Sequence, residues 1–375
     1  MVNYSNVLSF YKDKRILVTG NTGFKGSWLT YILLSTEAEV IGYSLPMLRE
    51  PNLFTIAGLD DNPKLQQVTG DVRDLEKVIN VFREFHPDIV IHLAAQPIVR
   101  DSYRDPVNTY STNVMGTVNI CEAVRQTESV RSFLNVTTDK VYKNNEWEWG
   151  YRETDFLDGL DPYSNSKSCS ELVTHSYKDS FFTNGRVAVS TARAGNVIGG
   201  GDFSNDRIIP DCVRMIKTVA DEGLNQGTIG VRNLYSIRPY EHVLEPLFAY
   251  LMIAMKQFED GKYSGYYNVG PDDCDCVSTG NLVSLFCEAW NESDSRVEIS
   301  WENKTEPHAP HEANFLKLDC SKIKLTFGWK PTWHIETAIK QTINWTRAWM
   351  EEAGSKTVKK EMEKEIEEFI SGCSD

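Results

Sequence analysis

Two short stretches carry residue types that could oxidise a hydroxyl group. In Asp161-Pro162-Tyr163-Ser164-Asn165-Ser166-Lys167, a tyrosine and a lysine stand four residues apart. On a helix such residues project from one face. Asp161 suits the cap and Pro162 the first turn of that helix. A free phenol has a pKa of about 10 and is a poor base at neutral pH. A neighbouring ammonium stabilises the phenolate and draws that pKa down. The second stretch, Ser132-Phe133-Leu134-Asn135-Val136, is largely apolar and β-prone, and it runs into Thr137, Thr138, Asp139 and Lys140. In an open α/β sheet the carboxyl ends of the strands face the ligand crevice. Alone, Tyr163 and Lys167 read better as a surface helix pair. The surrounding elements decide whether they line a crevice.

Those elements alternate strand and helix. Arg15–Thr19 reads as a short strand, followed by Gly20, Asn21, Thr22, Gly23, Phe24, Lys25 and Gly26 and then a helical run. A glycine-rich turn between strand and helix lets the backbone approach a pyrophosphate, which sits on the free N–H groups of the helix start. This predicts dinucleotide binding. The second strand, Glu39–Ser44, ends on Ser44 where a ribose-binding carboxylate often stands, with Arg49 the nearest arginine. Ser44 could serve NAD or NADP. Residues 64–69 form a third strand ending near Asp71, which could accept from an adenine amino group, cap the helix of residues 74–86, or both. The fourth strand, residues 88–95, ends on Leu93, Ala94 and Ala95, and the two small alanines allow close approach of a flat cofactor. His92 within it reads as a core residue. Helices over about 107–126 and 162–183 and a strand over 186–193 complete the alternation. The pattern predicts a Rossmann-type, doubly wound parallel sheet. Beyond it come a glycine-rich loop, 194–202, a strand near 265–270, and a mixed region with helices near 277–290, 320–327 and 334–351. Arg207, Arg232 and Arg238 lie in the mixed part and could fork onto phosphate oxygens or be solvated surface.

Composition narrows the function. A net charge of −14 argues against nucleic-acid or anionic-membrane partners. Eight scattered cysteines, with one Cys274-x-Cys276 pair lacking a second half for zinc, read as reduced thiols in a cytoplasmic protein. No signal-peptide core and no membrane-length apolar run is present. His308-Ala309-Pro310-His311-Glu312 reads as a loop, not a metal site. The stretch 356–371 reads as a peripheral charged helix with a thin apolar stripe of Val358, Met362, Ile366 and Ile370.

Eight blocks together resemble one family, the nucleotide-sugar 4,6-dehydratases of the extended short-chain dehydrogenase/reductase type, and within it the branch acting on CDP-activated glucose. They are GNTGFKGSWL (20–29), HLAAQPIVR (92–100), NVTTDKVY (135–142), WGYRE (149–153), DPYSNSK (161–167), RAGNVIGGGD (193–202), IRPYEHVLEPL (237–247) and HEANFLKLDCSK (311–322). The resemblance implies a Rossmann-type NAD-binding domain of residues 1–194 plus about 237–270. It implies a smaller, mixed nucleotide-sugar-binding domain of 195–236 plus about 271–352, with 353–375 as the peripheral helix. It implies Thr138, Asp139, Lys140, Tyr163 and Lys167 as the catalytic set. Gly20, Gly23 and Gly26 match the cofactor loop, with Asp71 and Val72 at adenine. Gln96, Thr138, Asn196, Arg207 and Arg238 fall on the substrate side. It also implies NAD as cofactor and a homodimer or homotetramer paired through the helices near 107–126 and 162–183. Most sugar-nucleotide 4,6-dehydratases carry Glu where this chain has Lys140, so Lys140 is either the C5 base or a cation beside the enolate. Asp139, as acid, would need burial to stay neutral. The rival readings are a nucleotide-sugar 4-epimerase and a cofactor-sensing regulatory protein on the same fold.

Overall fold

The computed structural model describes residues 2–47, 50–293, 296–304, 315–351 and 355–372. Arg49 and the stretch 308–312 fall outside them. The described residues contain twelve strands. They are β1 (Arg15–Thr19), β2 (Glu39–Ser44), β3 (Leu65–Thr69), β4 (Ile89–His92), β5 (Ser132–Thr138) and β6 (Ala188–Ala194), then β7 (Asn196–Ile198), β8 (Gln226–Val231), β9 (Ile237–His242), β10 (Tyr266–Val269), β11 (Cys276–Ser278) and β12 (Glu298–Asn303). Seven form one sheet in the order β10-β6-β5-β4-β1-β2-β3, and every pairing in it is parallel. The order reverses between β1 and β4, which is where such sheets open a ligand crevice.

The near-continuous apolar strands follow from burial on both faces. Side chains alternate across a strand. Ile16, Val18, Val40, Ile89, Ile91, Leu134 and Val136 therefore enter one core, with the helices Phe24–Ser35 and Leu244–Glu259. Leu17, Ile41, Val90, Phe133 and Val189 enter the other, with Leu75–Phe85 and Gly116–Gln126. A third cluster sits outside the sheet. There Ile209, Val213 and Ile216 of helix Ile208–Asp221 meet Leu282, Val283 and Phe286 of helix Thr279–Ser293, around the parallel pair β8 and β12. No helix among the described residues is long and apolar enough to cross a membrane.

Three local readings change. The helix near 107–126 is Pro106–Tyr110, a π-helical segment Ser111–Met115 and then Gly116–Gln126. Asp74, not Asp71, caps the helix Leu75–Phe85 by accepting from the Lys77 N–H. The C-terminal helix, Ser355–Gly372, is not peripheral. Val358, Met362 and Phe369 are fully buried in the main core, and Phe369 stacks on Tyr4 and Phe248. Position 369, rather than 370, completes the stripe because the helix also packs against the N-terminal helix Tyr4–Phe10.

One buried ion pair ties the sheet to helix Pro162–Phe181. Arg193, on β6, donates to Glu171 from Nε at 3.0 Å and from Nη2 at 2.9 Å, and both side chains are fully buried. Thr137 and Thr191 also donate to Glu171. Burial alone would raise the Glu171 pKa, but the Arg193 charge and these hydrogen bonds outweigh it and hold the carboxyl well below its usual range. The pair's contribution is thus fully present above about pH 4.3 and is lost as pH falls through the lower, folded-state pKa. Arg193→Met strands a buried carboxylate and should cost about 3–5 kcal/mol at pH 7.5. The deficit should narrow at pH 5, where the stranded Glu171 can protonate. Urea denaturation at the two pH values measures both; a pH-independent deficit would contradict this account.

Candidate active site

A cleft of about 1200 Å³ runs along the carboxyl ends of the parallel strands. One half is the glycine loop. Gly20 has φ of +71°, and a Cβ there would lie 2.8 Å from Ala94. A Cβ on Gly26 would lie 2.1 Å from the Gly20 carbonyl oxygen. Helix Phe24–Ser35 starts at Gly23 with no side-chain cap, so its first N–H groups face the cleft unmasked. That suits a pyrophosphate. Gly20, Thr22, Gly23, Phe24, Lys25, Gly26, Ser44, Asp71, Val72, Leu93, Ala94 and Ala95 all line this half. Asn21 does not. It is buried and donates to Gln67 at 2.6 Å, so it pins the loop to β3. Asp71 lies on the wall, but its carboxylate is forked onto Arg73 at 2.9 and 3.0 Å, which lowers its pKa.

The other half joins β5, helix Pro162–Phe181 and β9. Thr138, Lys140, Tyr163 and Lys167 line it together with Asn196, Arg207 and Arg238. Thr138 Oγ1 donates to Asp139 Oδ1 at 2.8 Å. Lys140 Nζ donates to the same oxygen at 3.0 Å and to Asn196 Oδ1 at 3.1 Å. Asp139 is fully buried just behind this wall, with Oδ2 unpartnered. The lysine-lowered phenol expected from the sequence is not what this geometry gives. Burial pushes Tyr163 up to about 12, against lowering by a Thr138 hydrogen bond and the Arg207 charge. Lys167 Nζ donates instead to the Val136 carbonyl at 3.0 Å. Burial brings Lys167 down to about 8.

Gln96 is also displaced from its expected role. It is off the cleft wall, and its amide brackets the bend at 96–98 by donating to Thr109 and accepting from the Ile98 N–H. Asn113, in the π-helical segment, accepts from the Gln96 N–H and donates to Ser166, fixing the helix that carries Tyr163. His92 is a core residue, as expected: burial brings it down to about 3, and it bonds Thr19 at 2.6 Å.

Two features go beyond the sequence reading. Arg100 joins Arg207, Arg232 and Arg238 on the wall, giving four guanidinium groups in a protein of net charge −14. Arg232 pairs with Asp206 at 2.8 Å, and Arg100 approaches the same carboxylate at 3.8 Å. Behind the glycine loop, burial brings Lys25 down to about 8 despite the opposing charge of Glu241. Both Glu241 carboxyl oxygens and the Tyr250 hydroxyl are buried without a hydrogen-bond partner. Glu241 sits in a strand whose neighbours are apolar or aromatic, so only its charge could have marked it.

Gly26→Ala should lower NAD affinity about tenfold or more by forcing the loop open. Titration calorimetry with the dinucleotide tests this; unchanged affinity would show that the loop takes no part in binding.

The family model described as GDP-mannose 4,6 dehydratase matches residues 17–342. CDP-glucose 4,6-dehydratase of Salmonella typhimurium is 45% identical over 348 residues, covering 91% of this chain and 93% of that protein. The UDP-glucose 4-epimerase of Thermus thermophilus, solved with NAD, aligns with a TM-score of 0.71 at 26% identity over 89% of this chain and 99% of that one. The dTDP-glucose 4,6-dehydratase of Bacillus anthracis, also solved with NAD, shares the fold with a TM-score of 0.70 at 23% identity, covering 89% and 96%. Sequence likeness thus points to the dehydratases, and fold likeness extends across dehydratases and epimerases. The chain belongs to the nucleotide-sugar 4,6-dehydratase family.

Proposed function

We propose that this protein removes water from an activated hexose, CDP-glucose, to give the 4-keto-6-deoxy nucleotide sugar. The observation that carries the reading is the contact among Thr138, Asp139 and Lys140 beside Tyr163. An epimerase needs the tyrosine but not an acid and a base for elimination. The likeness to the Salmonella enzyme supports CDP as the nucleotide. The arginines at 100, 207, 232 and 238 suit its diphosphate.

Gly20, Gly23, Gly26 and the start of helix Phe24–Ser35 would hold NAD, which would supply a reversible hydride acceptor beside the sugar. The chain's own residues move the protons. Tyr163 acts as the phenolate, a form that the positive charge of a bound nicotinamide would favour against the burial that pushes its pKa up to about 12, and takes the proton of the C4 hydroxyl, with Thr138 holding that oxygen. The resulting ketone acidifies the C5 hydrogen. Lys140 and Asp139 touch at 3.0 Å, so one proton passed from the ammonium to the carboxylate creates the base and the acid together. Lys140 then takes the C5 proton, and Asp139 protonates the departing C6 hydroxyl, which leaves as water. Oδ2 of Asp139 is buried without a hydrogen-bond partner. Lys140 returns its proton to C5 as C6 receives the hydride. Tyr163 is then one proton richer and Lys140 one poorer, with Asp139 again a carboxylate. Thr138 donates to Asp139, which accepts from Lys140, and so links Tyr163 to that pair for the reset.

Met115, Leu172 and Phe181, each about half exposed on helices Gly116–Gln126 and Pro162–Phe181 or at their edge, support pairing of two copies through these helices. The free thiols of the described cysteines suit a reducing, cytoplasmic setting.

Tyr163→Phe should abolish hydride transfer while leaving nucleotide-sugar binding nearly intact. Asp139→Asn should slow water loss more than oxidation, so NADH absorbance should build up on the enzyme. Turnover by the first variant, or no build-up in the second, removes that residue from its role. Separate CDP-, dTDP-, UDP- and GDP-hexoses should give alkali-dependent ultraviolet absorbance with CDP-glucose first. Turnover without that absorbance would identify an epimerase.

A further inference from the structure

The dehydration chemistry makes no use of Cys274, yet the fold surrounds its thiol with two other donor groups. Cys274 and Asp275 lie on the 3-10 turn Asp273–Asp275, and His334 immediately precedes helix Ile335–Met350. Cys274 Sγ is 3.5 Å from Asp275 Oδ2 and 3.9 Å from His334 Nδ1. His334 Nδ1 is 2.9 Å from the same carboxylate oxygen. A sulfur, an imidazole nitrogen and a carboxylate oxygen thus converge within 4.8 Å of one another.

We infer that Cys274, Asp275 and His334 form a binding site for a zinc-class divalent cation. Tetrahedral zinc, with sulfur at about 2.3 Å and nitrogen and oxygen at about 2.0–2.1 Å, sets its ligand atoms roughly 3.3–3.6 Å apart. The three observed separations straddle that range, so adjustments of a few tenths of an ångström seat the ion. The mixture of thiolate, imidazole and carboxylate suits zinc and not magnesium or calcium, which take oxygen ligands.

The surroundings favour this chemistry. Asp275 is 3% exposed, and its Oδ1 accepts the Ile335 N–H at 2.8 Å. That bond fixes the carboxylate from behind and turns Oδ2 toward His334 and Cys274, whose contacts with it an ion would replace. Cys274 and His334 are exposed, which gives an ion a path in and leaves the fourth position to water. Asp272 and Asp273 add negative charge next to the turn, partly balanced by Lys324 and Lys317. On binding, the Cys274 thiol releases its proton to solvent and the neutral His334 Nδ1 turns its lone pair to the ion, so affinity falls as pH falls. The bound ion would fasten the turn before β11 to the start of helix Ile335–Met350. β11 pairs with β9 at Val277↔Arg238, so the clamp would also brace an arginine of the cleft.

The test uses full-length, tag-free protein stripped of metal. Equilibrium dialysis with Zn2+ alone should give one ion per chain. Co2+ should give a thiolate-to-metal charge-transfer band. Cys274→Ser should remove that band, and both Cys274→Ser and His334→Gln should weaken Zn2+ binding about tenfold or more. Neither residue lines the cleft, so turnover of both variants without added metal should match the parent and report that they are folded. Zinc should raise the parent's melting temperature and leave that of the variants unchanged. Absence of stoichiometric zinc, or binding that survives Cys274→Ser at parental affinity, overturns the site. Either result leaves the dehydratase reading untouched, since that rests on a different part of the molecule.

Discussion

The contact between Glu171 and Arg193 fixes the geometry on which the rest depends. Glu171 lies two helical turns beyond Tyr163 and one beyond Lys167, on the same helix. Its carboxylate collects hydrogen bonds from β5 through Thr137 and from β6 through Thr191 and Arg193. Arg193 in turn donates to the Tyr142 hydroxyl, which donates to Asn268 on β10. Three adjacent strands and the helix are thereby locked at the height of the cleft floor. A buried ion pair is a weak source of net stability, because desolvation offsets most of the attraction. What this one supplies is position: Thr138 follows Thr137 directly, so anchoring one sets the other against Tyr163.

The first half of the fold was legible because its signals are local. Residues 15–19 and 39–44 read as strands and are strands, since runs buried on both faces stay apolar throughout. After Arg193 the strand near 265–270 and the helices near 277–290, 320–327 and 334–351 still read correctly, while other elements are missed for physical reasons. β8, QGTIGV, carries two glycines, and β7 and β11 are only three residues long. Helix Leu244–Glu259 is buried on nearly every side, so it lacks the apolar periodicity by which helices are recognised. The C-terminal helix looked peripheral because its stripe is narrow and its composition charged. Yet that stripe meets Tyr4, Phe248 and Trp333, and even Glu365 is buried, opposite His242 at 3.6 Å.

At the site, the motif residues fell where side-chain type alone dictates a role. Gly20 and Gly26 are held there by backbone proximity that no other residue tolerates. The misses are two amides and Arg100. Asn21 and Gln96 stand inside recognisable motifs but spend their hydrogen bonds on Gln67, Ile98 and Thr109. An amide can brace a loop as readily as bind a ligand, and sequence does not distinguish the two. Arg100 reaches the cleft from a segment far along the chain from Arg207, Arg232 and Arg238, so no local spacing announces it. Together the four arginines resolve the apparent conflict between an acidic protein and an anionic substrate.

The π-helical segment Ser111–Met115 has a consequence for how this protein can change over time. A π turn is a helix holding one surplus residue. Losing one residue between Ser111 and Met115 would let the segment relax into ordinary α-helix. The turns on either side would keep about the facing they have now, with Thr117 on Ser170 and Asn119 on the Val72 carbonyl. A residue lost from the α-helical turns beyond would instead rotate everything after it by about 100°. A change of length is therefore absorbed in this stretch and not in the turns that flank it.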